Sequence, residues 1–373
     1  MSDYETKPNT DLALNEGDTA YLYSQFPRIA EALIWPELVE AFRLHEDQAR
    51  KLKTGSRRNS FASIVLIVMS LTLTMVATAT PFAPLVEGQP VVAHAMSIAA
   101  LLLLFGAILL GKGVLFGRKR DNWLKNRLIA ERLRHLHFQY ILANLHHMCS
   151  KSSVAKSRYF DKRAKELERV LKRLRNPVYR QAVLGDEVLQ EARLVDARQI
   201  DHSSLDQECL EELQRYWIEF RFNWQAEYAT QQLDRKPSAL PLFGSLADQE
   251  HTVSTLEFIA TLGIVVLQTV AVLAQLFVGP LSIEVQIAVL LASLLAVASV
   301  GLQAYKDGMG LSDDLSRNRV YASYTAKLVR DFRVAQEKGD GSGQIRIMQE
   351  MEDLAYFETR EFLYTHSTAR FSF

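Results

Sequence analysis

The chain has two cysteines, Cys149 and Cys209, in 373 residues. That is too few for a disulfide framework, and they lack the paired spacing of a zinc site, so free thiols are expected. It has no charge excess either: 43 basic and 43 acidic side chains balance, which disfavours a general nucleic-acid-binding surface. It lacks a phosphate-cradling G-x-x-x-x-G-K-[ST], a dinucleotide G-x-G-x-x-G, a zinc-binding H-E-x-x-H and a nucleophile elbow G-x-S-x-G. With none of these, the chain is expected not to be an enzyme and to carry no cofactor. His137, His146 and His147 lie near Cys149, but His146 and His147 are adjacent and diverge by about 100° on a helix, so no metal site is expected. No run of alternating β-branched residues asks for a sheet.

What is abundant is apolar sequence, and it is concentrated. Residues 61–80, 91–111, 258–278 and 285–302 contain no acid, lysine or arginine. Each is about the 20 residues that a helix needs to cross roughly 30 Å of hydrocarbon. The segment "PFAPLVEGQP" between the first two, with its prolines and glycine, turns the chain back, and "GPLSIE" does so between the last two. The expected fold is therefore an all-α membrane protein with two transmembrane hairpins and long cytoplasmic helices. Arg50, Lys51, Lys53, Arg57 and Arg58 precede the first hairpin and Lys112, Arg118, Lys119 and Arg120 follow it, with no cation in the turn. That bias places both termini and the middle of the chain in the cytoplasm. The opening "MSDYETKPNTDLALNEGD" is acidic and polar, unlike a signal peptide, and residues 1–18 are expected to be disordered.

A shift of 192 residues lays each span of the first hairpin near one of the second. It also lays Lys125, Asn126 and Arg127 on Arg317, Asn318 and Arg319. The chain thus reads as two copies of one unit, residues 19–176 and 177–373, each a membrane hairpin followed by a long helix. The repeated cationic segment is expected to act as a hinge between spans and cytoplasmic helices. Arg118, Lys119 and Arg120 form a basic collar at the membrane exit, where each cation near anionic headgroups is worth on the order of 1 kcal/mol. After each hairpin, Trp123, Leu124, Leu128, Leu133, Leu136 and Tyr140, then Leu315, Val320, Tyr324, Leu328 and Phe332, repeat at helical spacing and predict amphipathic helices. Trp123 is expected at the membrane interface.

Two polar stripes run through the spans. Glu257, Thr261, Gln268 and Gln275 stand four, then seven, then seven residues apart, within about 40° of one helical face. Ser63, Ser70, Thr74 and Thr78 make a milder one. Such groups are costly against lipid and face a bundle interior or water, so these eight residues are candidates for lining a pore. Bonding between neighbouring helices is the competing reading. Ala288, Ala292 and Ala296 form a small-residue ladder suited to close helix packing.

The two apolar helices, the following "W…NRLIAERLRHLHFQYI" (Trp123, Arg127, Ala130, Glu131) and the terminal "LAYFETREF" together resemble the bacterial SLATT domains, the SMODS and SLOG-associating two-transmembrane effector domains. The second copy departs at two positions, with Leu315 where Trp123 maps and Ser323 where Glu131 maps. The resemblance implies a pore-forming or membrane-perturbing effector of the bacterial inner membrane, acting in anti-phage abortive infection. It also implies a homo-oligomer in contact with the lipid bilayer and with a nucleotide-signalling or sensor protein. A membrane-anchored helical scaffold is the alternative, and a dedicated ion channel or transporter a weaker one, since no selectivity-filter sequence is present.

Overall fold

The computed structural model describes residues 10–12, 16–78, 90–115, 118–184, 192–195, 205–234, 244–277 and 283–368. Among them every regular element is a helix, so the chain is an all-α membrane protein. After a turn of 3-10 helix at Thr10–Leu12 come α1 (Glu16–Gln25), α2 (Ala30–Leu33), α3 (Pro36–Thr78) and α4 (Pro90–Leu115). Next are α5 (Arg118–Ala143), α6 (Leu145–Met148), α7 (Ser153–Arg175) and α8 (Pro177–Leu184). The helix α9 (Gln207–Tyr216) runs through a π-helical segment, Trp217–Asn223, into α10 (Trp224–Leu233). The chain ends with α11 (Leu246–Phe277), α12 (Ile283–Met309), α13 (Leu311–Glu337) and α14 (Gly341–Thr368).

Contacts divide the chain into two compact units, and neither is one of the two sequential copies expected from the repeat. The first collects residues up to Arg50, then Trp123–Asp234 and Ser316–Ser367; the second collects Lys51–Asn122 and Arg235–Leu315 with the C-terminal residues. Charge content explains the division. Segments dense in charge assemble together whichever copy they come from, and the charge-free segments do the same.

The helical stretch Ala30–Ala77, which takes in most of α3 and enters the second unit at Lys51, and the helices α11 and α12 have apolar windows long enough to cross a membrane, and α4 carries a shorter one, His94–Leu110. Side-chain contacts give their order. Ser63 and Ser70 of α3 donate to the carbonyls of Ala107 and Ala100 of α4, at 3.0 and 2.7 Å. Gly301 of α12 lies so close to α3 that a Cβ there would stand 2.6 Å from Val68 Cγ2, and Tyr305 packs edge-on against Phe61. Gly263 of α11 meets Leu295 of α12 in the same way, at 2.7 Å. The helices therefore neighbour one another in the sequence α4, α3, α12, α11. Ala288 of the small-residue ladder is buried beside Ala271 and Val285, Ala292 is buried too, and Ala296 is half-buried. Leu101, Phe105, Phe258, Leu276 and Phe277 stand outward, from 59% to 85% exposed, an apolar surface that only lipid or another apolar partner covers at low cost.

The break after α12 falls at Gly310, whose φ of +63° requires glycine. The repeated segments lie elsewhere. Lys125, Asn126 and Arg127 are inside α5, and Arg317, Asn318 and Arg319 inside α13. Each lies within continuous helix.

In the first unit α5 is central. Every residue from 128 to 145 is buried, although the segment contains Glu131, Arg132, Arg134, His135, His137 and Gln139. The expectation of an amphipathic helix is corrected here: its polar face is covered as fully as its apolar one. Trp123 is buried against Phe362 and His366 of α14, not at a membrane interface. Around α5 lie α3, through Phe42, with Trp35 just before it; α7, through Tyr159; the α9–π segment, through Tyr216 and Trp217; and α14, through Tyr356. Residues expected to be disordered contribute as well: Asp11, Leu12 and Asp18 are buried, and residues 1–9 and 13–15 lie outside the described residues.

The two cysteines are not free. Cys149, just after α6, and Cys209, in the first turn of α9, are paired in a disulfide with Cα atoms 5.4 Å apart, inside the range that geometry allows. A backbone bond from Asp206 N–H to Cys149 O at 2.9 Å brings the two segments together. Spacing along the chain carries no sign of this approach.

Candidate functional site

The stripe of α11 divides when placed in the fold. Glu257 pairs with Lys306 of α12 at 3.8 Å, and the same ammonium donates to Ser254 Oγ at 3.0 Å. The Thr261 hydroxyl returns to the Glu257 carbonyl one turn back, at 2.9 Å. Gln268 and Gln275, two and four turns further along, are exposed. The milder stripe of α3 goes the other way. Ser63 and Ser70 are buried and bond to α4 as described, whereas Thr74 is exposed and donates to Ser70 O at 3.0 Å within its own helix. Thr78 has a side chain outside the described set. In the basic collar, Arg120 is half-buried, and the side chains of Arg118 and Lys119 are also outside that set.

The repeated cations serve the first unit. Arg127 bridges Glu46 of α3 at 3.0 Å and Glu131 one turn along its own helix at 2.5 Å. Asn126 accepts a bond from His45 Nδ1–H at 2.8 Å. Arg317 pairs with Glu358 of α14 at 3.2 Å and stacks over Phe362. Asn318 is buried, while Lys125 and Arg319 are exposed.

From Arg127 a line of charges continues into the core. Glu131 binds Arg134 at 2.9 Å. Arg134 faces Asp11 at 3.2 Å, and Asp11 faces Arg221 of the π-helical segment at 3.7 Å. Arg221 grips Glu352 of α14 through two bonds of 2.6 and 2.8 Å, and His135 closes the line on Glu352 at 3.2 Å. The guanidiniums lie over aromatic rings: Arg221 over Phe138 at 4.3 Å, Arg134 over Phe42 and Trp224. π-helical turns are rare and occur mostly at functional sites; here one carries Arg221 inward. Sequence periodicity missed this chain because it treats charge as a sign of exposure. The one available signal was the i, i+3 and i, i+4 spacing of Arg127, Glu131 and Arg134.

Burial and pairing set the protonation states. Burial raises the Glu131 carboxyl, but Arg127 and Arg134 outweigh it and hold it at about 2. Glu352 is likewise lowered against burial, mainly by Arg221. Burial lowers His137 to about 3, and it lowers His135 despite the bond to Glu352. Tyr216 Oη donates to Asp11 O at 3.2 Å and lies 3.4 Å from His137 Nε2, which assigns that nitrogen the proton.

A pH dependence follows. Both histidines stay neutral in the fold but take up protons near pH 6.5 when unfolded, so stability falls as pH drops below that value. Glu131 adds a loss in the same direction between its unfolded value of about 4.5 and its folded value of about 2. At pH 5.5 the His137 share is about 1.4 kcal/mol, which corresponds to a melting shift of roughly 3–5 °C for a unit of this size. Thermal melts of the full chain in detergent at pH 7.5 and 5.5 check this: His137→Gln is expected to reduce the shift, and an unchanged shift would reject the assignment.

Taken together, the spans and the charged core define an all-α membrane protein whose soluble helices close around a buried ionic chain. Residues 44–144, covering the end of α3, the first hairpin and α5, match a family described as a protein of unknown function (DUF4231). No curated protein and no solved structure matches the chain.

Proposed function

We propose that this chain is a membrane effector that self-associates in a bacterial inner membrane and opens a water-filled path or disrupts the bilayer, in the manner that the SLATT resemblance implies. The observation that carries the reading is the outward position of Gln268 and Gln275 among exposed apolar residues such as Val265, Val272 and Leu276. An amide against hydrocarbon leaves its bonding groups unsatisfied, and a glutamine supplies both donor and acceptor, so like faces from several copies satisfy one another or line water. An anti-phage role and a partnership with a nucleotide-signalling or sensor protein belong to the same proposal. The scaffold alternative draws on Ser63 and Ser70, which are spent on helix adhesion.

The test is reconstitution of the full chain into liposomes loaded with a small dye and a large dextran. Release of the dye with retention of the dextran is expected once copies associate. If protease protection shows correct insertion, yet neither marker escapes at any protein-to-lipid ratio, the effector reading is lost and the scaffold reading stands.

A further inference from the structure

Asp11 differs from the other acids of the ionic chain. Glu46, Glu131 and Glu352 come from long helices, whereas Asp11 comes from the three-residue turn Thr10–Leu12 near the start of the chain. It is fully buried, yet neither carboxylate oxygen accepts a hydrogen bond. Arg134 Nε lies 3.2 Å and Arg221 Nη1 3.7 Å from Oδ2. These are charge contacts without the aligned donors that a buried carboxylate ordinarily collects. Two buried donors on the π-helical segment, Arg221 Nη1 and Trp217 Nε1, make no hydrogen bond. The guanidiniums are held in place without Asp11: Arg134 by Glu131 and the rings of Phe42 and Trp224, Arg221 by Glu352 and the ring of Phe138.

We propose that Arg134 and Arg221 form a recognition site for a small oxyanion, a phosphate or a carboxylate, and that Asp11 fills this site from within the chain as an intramolecular ligand that an external anion displaces. A tetrahedral or planar oxyanion offers more acceptor positions than a poorly aligned aspartate, and the guanidinium fork is shaped for them. The groups around Asp11 fit a displaceable occupant. Burial raises its carboxyl above the ordinary range; Arg134 and Arg221 oppose this, and Glu131 and Glu352 add to it. His135 lies beyond, on Glu352, and Tyr216 touches the Asp11 carbonyl. The ionised Asp11 carboxylate is therefore weakly held. Docking is firm below the ordinary aspartate value and weakens as pH rises through the folded one, so displacement is easier toward neutral pH. The inference stands apart from the membrane reading: it needs only the first unit.

The test titrates inorganic phosphate into the full-length protein in detergent at constant ionic strength. Asp11→Ala, which vacates the seat, is expected to bind phosphate at least tenfold more tightly than the unaltered chain, and adding Arg134→Gln is expected to remove the gain. Equal binding by the chain and Asp11→Ala, or a gain that survives Arg134→Gln, overturns the proposal. If Asp11→Ala is not a folded, monodisperse protein, the unaltered chain decides: phosphate, but not chloride of equal ionic strength, must speed protease cleavage within the first fifteen residues several-fold, and an unchanged rate overturns the proposal.

Discussion

Replacing Arg221 by methionine is expected to destabilise the first unit by about 3–5 kcal/mol, because it leaves Glu352 buried and facing only a neutral histidine. The guanidinium makes two charge-assisted bonds to that carboxylate and is itself fully buried. Methionine restores much of the volume, so the loss is that of the pair and not of packing. Replacing both partners, Arg221→Met with Glu352→Met, removes the orphaned charge as well and is expected to recover most of the stability, since an apolar pair of similar volume is often as good as a buried ion pair. Thermal or denaturant unfolding of the full chain in detergent, followed by circular dichroism, measures both. A single variant as stable as the parent would show that Glu352 is satisfied elsewhere, and a double variant worse than the single would show that the ionic chain acts as a unit beyond its pairs.

The second large effect concerns the membrane unit. Gln268→Leu with Gln275→Leu removes both outward amides of α11 while touching none of the contacts that hold α11 to α12, namely Gly263 with Leu295 and Glu257 with Lys306. The fold and the expression level are expected to be unchanged or improved, and dye release is expected to fall to background. The anchoring alternative makes the opposite prediction, full activity with leucine at both positions. Ser63→Ala with Ser70→Ala supplies the contrast: it removes two bonds to α4 and is expected to cost about 0.6 kcal/mol each, the average for such bonds between membrane helices, with release preserved.

These expectations show where sequence and fold part company. The spans were legible because a bilayer imposes length and lack of charge on any helix that crosses it, and α11 and α12 read as they were found. The serines of α3 and the glutamines of α11 looked alike as stripes, because periodicity tells which residues share a face but not what that face meets. Only the neighbour order of the helices separates adhesion from exposure. In the soluble part the usual equation of charge with surface failed along α5. Glu131 finds local partners, but other charges there pair with groups 81 and 217 positions away, Glu46 for Arg127 and Glu352 for His135, and no local pattern encodes such distances. The pairing of Cys149 with Cys209 and the insertion of Asp11 were hidden for the same reason.

The complete burial of α5 from residue 128 to its end at residue 143 also constrains how this chain can change over time. Point substitutions that exchange one fitting side chain for another remain open to it. Adding or removing a single residue there turns everything downstream by about 100°, and with a different neighbour on every side no rotated setting is acceptable. The segment is thus free in its letters but fixed in its count. Natural variation in length should be confined to the connections flanking it, and a comparison of lengths among relatives would reveal this central helix even where the letters no longer align.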